Sequence, residues 1–64
     1  MVDKVGDVIL VIDKNTGKEI EVVITKVVEQ DNHYYYFVRR KDNKQFKDGK
    51  FNVWIKGGQI NAKI

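Results

Sequence analysis

The sequence predicts an all-β domain, and three observations carry that prediction. The aliphatic residues are of one kind: ten Val and seven Ile stand against one Leu and one Ala in 64 residues. Side chains branched at Cβ are stiff at χ1 and suit a pleated strand better than a helix. Turn-forming residues recur at short intervals, at Asn15-Thr16-Gly17, Asp31-Asn32, Lys41-Asp42-Asn43, Asp48-Gly49 and Gly57-Gly58, the spacing found between the strands of small sandwiches and barrels. A chain of 64 residues that is 42% hydrophobic forms one domain, 1–64, with a small core, and its composition lies outside the disordered range.

The elements follow in order. Strands are expected near 7–13, 18–30, 33–40, 50–56 and 59–64. The first contains the longest apolar run, Val8 to Ile12. The second is long for so small a domain, and a bend or bulge near Lys26–Val28 would let it serve two sheets. If Asp31-Asn32 is a two-residue hairpin loop, Val28 lies opposite Tyr35 and Lys26 opposite Phe37. Carrying that face back through Ile24, Val22 and Ile20 places Tyr35 and Phe37 inside and Tyr34 and Tyr36 outside. If Gly57-Gly58 is a second such loop, Lys56 meets Gln59, Ile55 meets Ile60, Val53 meets Ala62 and Phe51 meets Ile64. All six apolar residues then share one face, whereas Trp54, Lys56 and Lys63 share the other.

Five strands, a bent second strand and little or no helix predict a small five-stranded SH3-like barrel, whose closure removes the exposed edges of an open sheet. An OB-type barrel normally takes more residues and a helix between strands. In size and strand pattern the chain resembles the small SH3-like chromatin and Tudor-type barrels. That resemblance implies an outward three-stranded face, with an aromatic residue and several cations, used against DNA or a peptide. The chain departs from the ribosomal KOW pattern, whose glycine-containing motif it lacks.

Composition argues against an enzyme. There is no Cys and no Ser, and the hydroxyl-bearing residues are Thr16, Thr25 and three tyrosines, so the pairing of nucleophile and base has little to draw on. His33 is the only histidine; it sits at a turn edge with no acid at a diagnostic spacing, and reads as a surface residue. Glu19 and Glu21 alternate on a strand and mark its wet side. Asp31-Asn32 and Asp42-Asn43 lack the spaced oxygens of a calcium loop, and Gly57-Gly58 opens no phosphate-binding helix. No catalytic residue, metal, cofactor or small-molecule substrate is expected.

Charge is distributed unevenly. Residues 1–32 carry four lysines against seven acids, and residues 33–64 carry eight Lys or Arg against two acids, within a chain of net charge +3. One side of such a molecule attracts anions. The segment from Arg39 to Lys50 concentrates six cations in twelve residues and joins an aromatic strand to the one bearing Trp54. Cations that neutralise phosphates, set beside rings that stack on bases, are the physical basis of nucleic-acid binding. The sequence therefore nominates Tyr34, Tyr36, Arg39, Arg40, Lys41, Lys44, Lys47, Lys50, Trp54, Lys56 and Lys63 as a nucleic-acid-binding surface of low sequence specificity. The alternatives are a module docking an acidic or extended peptide, self-association through an edge strand, or a lysine-rich loop that serves only solubility. Trp54 separates them: outward, it contacts a partner; turned in, it would cover Val27 and Val11. The charged start, Met1-Val2-Asp3-Lys4, is not followed by a cleavage signal, and no apolar run approaches the ~20 residues that cross a bilayer. A cytoplasmic protein, or one domain of a longer cytoplasmic chain, with no membrane partner is the expectation.

Overall fold

Branched aliphatics separated by turn residues divide the chain into strands. The computed structural model describes residues 4–46 and 49–57. They form β1 (Val8–Ile12), β2 (Glu19–Gln30), β3 (His33–Arg40) and β4 (Asn52–Lys56), all antiparallel in one open sheet of order β1-β2-β3-β4, with no helix. The bounds fall within those expected. The fifth strand at 59–64, and with it the Gly57-Gly58 loop and the pairings across it, lies outside the described residues.

The turns have identifiable chemistry. Between β1 and β2 the Asp13 N–H donates to the Lys18 carbonyl at 2.9 Å and the Gly17 N–H to the Asp13 carbonyl at 2.8 Å. The Asp13 carboxylate accepts from the Asn15 N–H at 2.9 Å, and Gly17, at φ 71°, takes the left-handed conformation that costs glycine least. Between β2 and β3 the two-residue loop is as expected. Asp31 and Asn32 stand at φ 52° and 65°, as a type I′ turn demands, and short polar side chains tolerate that region.

That loop sets the β2–β3 register. Lys26 faces Phe37 and Val28 faces Tyr35, as the sequence implies. The faces, however, are reversed. A register shift between Ile24 and Lys26 leaves Thr25 as an extra residue, and its hydroxyl donates to the Phe37 carbonyl at 3.0 Å. One inserted residue inverts every later side chain of β2. Ile20, Val22 and Ile24 point inward before the bulge and Val27 after it; Lys26 and Val28 therefore point outward. The expected placement is corrected accordingly: Tyr36 is only 3% exposed and Tyr34 packs against the core, whereas Tyr35 and Phe37 occupy the opposite face.

The inner face holds Val11, Val22, Ile24 and Val38, all fully buried, with Tyr36 and Ile55. Burying each large aliphatic contributes about 1.5–3 kcal/mol. Phe46 joins this cluster from the β3–β4 connection. Its backbone is fixed by the Phe46 N–H donating to the Lys50 carbonyl at 2.7 Å and the Gly49 N–H donating to the Phe46 carbonyl at 2.9 Å. Alternation predicts that Phe51 shares the inward face of Val53 and Ile55. It is instead 55% exposed, because β4 begins only at Asn52 and the connection delivers Phe46 to the core.

Tyr36 lies against Gly57. A Cβ at Gly57 would stand 2.8 Å from the Tyr36 Cζ and 3.0 Å from its hydroxyl oxygen, closer than packed atoms allow. Gly57→Ala should therefore destabilise the domain by about 1–3 kcal/mol, the usual cost of overpacking. In a Tyr36→Leu background the same change should cost much less, a coupling that urea denaturation of the double-mutant cycle would measure.

Candidate nucleic-acid interface

The bulge and the β3 alternation build the outer face in rungs. Lys26, Phe37 and Trp54 are consecutive partners across β2, β3 and β4; Val28, Tyr35 and Lys56 form the next rung, and Val23, Arg39 and Asn52 lie on the far side of the bulge. Trp54 is 51% exposed, and its ring lies 4.7 Å from that of Phe37 at an interplanar angle of 37°. Such offset, tilted pairs are favoured by the ring quadrupoles. Trp54 is thus an outward residue, on the face opposite Val27 and Val11.

Two lysines flank the ring pair. Lys26 and Lys56 are exposed on strands either side of β3, and neither has an ion-pair partner among the described residues. Arg39 is directed by its neighbours: Nη1 donates to Asn43 Oδ1 at 2.8 Å and to the Arg40 carbonyl at 3.4 Å, with Asn43 itself at φ 61°. The acids of this sheet face, Glu19 and Glu21, lie at its β1 side, opposite Ile12 and Leu10.

The other nominated cations are placed differently. Arg40 shares the inner-face rung of Val22 and clamps Asp42 with two bonds, Nε to Oδ1 at 3.1 Å and Nη2 to Oδ2 at 2.8 Å. Lys41 Nζ lies 3.6 Å from Glu21. Together with Glu19 and Ile20 these four side chains line a shallow open depression whose opposite charges satisfy one another. Lys44 and Lys50 are exposed in the β3–β4 connection; Lys47 and Lys63 lie outside the described residues. Of the nominated set, the outer face gathers Arg39, Trp54 and Lys56 and excludes the inward Tyr34 and Tyr36. It adds Lys26, Tyr35 and Phe37, which sequence reasoning missed. Counting the side-chain inversion at the expected bulge would have found all three.

The protonation equilibria of Tyr34 and Asp42 are shifted locally. The Tyr34 hydroxyl hydrogen-bonds the Glu29 carboxylate, directly opposite in register, and this bond and the adjacent negative charge raise its pKa. Asp42 is held below its ordinary value, first by the Arg40 hydrogen bonds and then by the Lys44 N–H, which donates to Oδ1 at 3.0 Å. No group of three His, Cys, Asp or Glu side chains among the described residues could hold a metal ion, and no helix is long and apolar enough to cross a membrane. Comparisons with protein-family models, curated proteins and solved structures find no match for this chain.

Because the folded pKa of Asp42 is depressed, the Arg40–Asp42 clamp is complete above the ordinary carboxylate range and is lost as pH falls through that lowered value. The pair is exposed and so worth little in net stability. A carbon-detected NMR titration should find the Asp42 carboxyl midpoint below that of an unpaired aspartate. Arg40→Gln should move it upward.

Proposed function

We propose that this chain is a non-enzymatic binding module whose basic, aromatic outer face contacts an anionic partner, nucleic acid with low sequence specificity, in the cytoplasm. The observation that carries the reading is the rung Lys26–Phe37–Trp54. A half-exposed indole, backed by a second ring, stands beside unpaired lysines and away from the acids of the same face. An exposed aromatic of this size marks a contact surface, and the surrounding cations supply phosphate contacts that carry no sequence information. Lys44 and Lys50 extend the positive field along the adjoining connection. We further propose that 59–64 adds a fifth strand and completes an SH3-like barrel. The four-strand meander, the bulged long β2 and the alternation of Ile60, Ala62 and Ile64 support that architecture.

A second reading, docking of an extended peptide, is favoured by Val8 and Leu10, each 46% exposed on the β1 side of the same face. An apolar strip continuing from the aromatic pair suits side chains of such a peptide. Binding to polyanions unaffected by salt, or binding to a protein that persists after nuclease treatment, would favour it.

If about three to five cations neutralise phosphates, log Kd should change with log salt concentration with a slope of magnitude roughly 2 to 4. Fluorescence anisotropy with labelled DNA and RNA oligonucleotides measures it. Lys26→Glu with Lys56→Glu should weaken binding at least about tenfold, while Lys14→Glu, in the distant β1–β2 turn, should have little effect. Failure of every oligonucleotide to bind at low salt would overturn the reading.

A further inference from the structure

We propose that the outer face binds single-stranded nucleic acid in preference to duplex, with Trp54 as the stacking platform for an unpaired base; this rests on the nucleic-acid reading above. The first argument is width. The platform runs across β2, β3 and β4, from Lys26 through Phe37 to Trp54 in one rung and from Val28 through Tyr35 to Lys56 in the next. A major groove roughly 12 Å wide admits a helix or a two-stranded ribbon, and the minor groove is about half as wide. A three-stranded face laid flat meets duplex only where the minor groove is opened and the helix bent, a deformation cost that a single strand does not carry.

The second argument is ring presentation. Trp54 and Phe37 sit in the middle of strands, in ring contact with each other, so the indole is fixed as a lateral surface and is not a wedge projecting from a loop tip. A duplex keeps its base faces in its own stack; single strands offer theirs to aromatic side chains.

The third argument is the number of cations. The face itself carries Lys26, Arg39 and Lys56, and Arg39 is already hydrogen-bonded to Asn43. Proteins that hold duplex mainly through charge use roughly six to ten phosphate contacts. With three cations on the described face itself, and Lys44 and Lys50 on the adjoining connection, stacking contributes a large share of the affinity, and unpaired bases provide it most readily. Lys26 stands at the β2 end of the ring rung and Lys56 one rung on, on the strand of Trp54, so a backbone that lays a base on the indole has a cation within reach in both directions.

Trp54 is the only tryptophan, so its fluorescence reports this contact directly. The test titrates the full chain with an oligothymidylate of about ten nucleotides, within the site sizes of single-strand binders, with a self-complementary hairpin duplex of equal phosphate content, and with heparin. The expected result is saturable quenching by the oligothymidylate at concentrations at which duplex and heparin leave the emission nearly unchanged. Trp54→Leu, folded by circular dichroism and followed by anisotropy of the labelled strand, should bind roughly 5- to 150-fold more weakly. Lys56→Gln keeps the indole and should reduce affinity without removing quenching. Equal or tighter binding of duplex would overturn the single-strand preference and leave the nucleic-acid reading standing. Single-strand affinity unchanged by Trp54→Leu would overturn the stacking platform. Absence of binding to both nucleic acids at low salt would overturn the underlying reading itself.

Discussion

The structure depends on one extra residue in β2. Thr25 has no partner of its own in the β2–β3 ladder, and its hydroxyl donates to the Phe37 carbonyl. Were Thr25 paired regularly, with no bulge, a twelve-residue strand that buries Ile20, Val22 and Ile24 would next bury Lys26 and expose Val27. With it, the apolar residues on both sides of the insertion reach the same interior, and Lys26 emerges beside Phe37. The same irregularity therefore completes the core and places a cation at the edge of the aromatic pair. A local departure from regular pairing here serves packing and surface chemistry together, as bulges commonly do.

The core is correspondingly economical. Val11, Val22, Ile24 and Val38 are fully buried and belong to three adjacent strands. Neither flank of this group is supplied by a regular element alone: Phe46 enters from the long β3–β4 connection, while Gly6 and Asp7 bond the backbone of Ile24 at 2.8 and 2.9 Å before β1 begins. Small domains expose a large share of their surface, so connecting segments must contribute side chains and hydrogen bonds that a larger protein would draw from further strands. The same economy engages part of the cationic segment: Arg40 is paired with Asp42 and Lys41 with Glu21. Arg40, Asp42 and Phe46 shape the connection, whereas Arg39 lies on the outer sheet face.

Much of this was legible in the sequence. The Val- and Ile-rich runs and the Asp31-Asn32 pair gave strand positions and placed Lys26 opposite Phe37 and Val28 opposite Tyr35, because a two-residue turn determines register on purely local grounds. A bulge was also foreseeable from the length of the second strand. Simple alternation carried through that bulge puts the tyrosines on the wrong faces, since one extra residue inverts parity: Tyr36 lies in the core, and Phe37 lies under Trp54. The outward position of Trp54 followed from alternation with Val53 and Ile55. The inward turn of Phe46 and the exposure of Phe51 were not legible, since they depend on how a loop of mixed composition closes over a tertiary surface. The Arg40–Asp42 clamp was equally hidden: two neighbouring charges in sequence do not reveal whether they face a partner or each other.

The seat of Tyr36 on Gly57 has a consequence for how β4 is aligned. Sliding β4 along β3 by two positions preserves which side chains are wet and which are dry, so patterning alone does not forbid it. In one direction such a slide brings Ile55 to the place where only a hydrogen fits against the phenol ring. The glycine thus acts as a vernier mark for the sheet, and the meeting of Trp54 with Phe37 is inherited from a steric decision made on the other side of it.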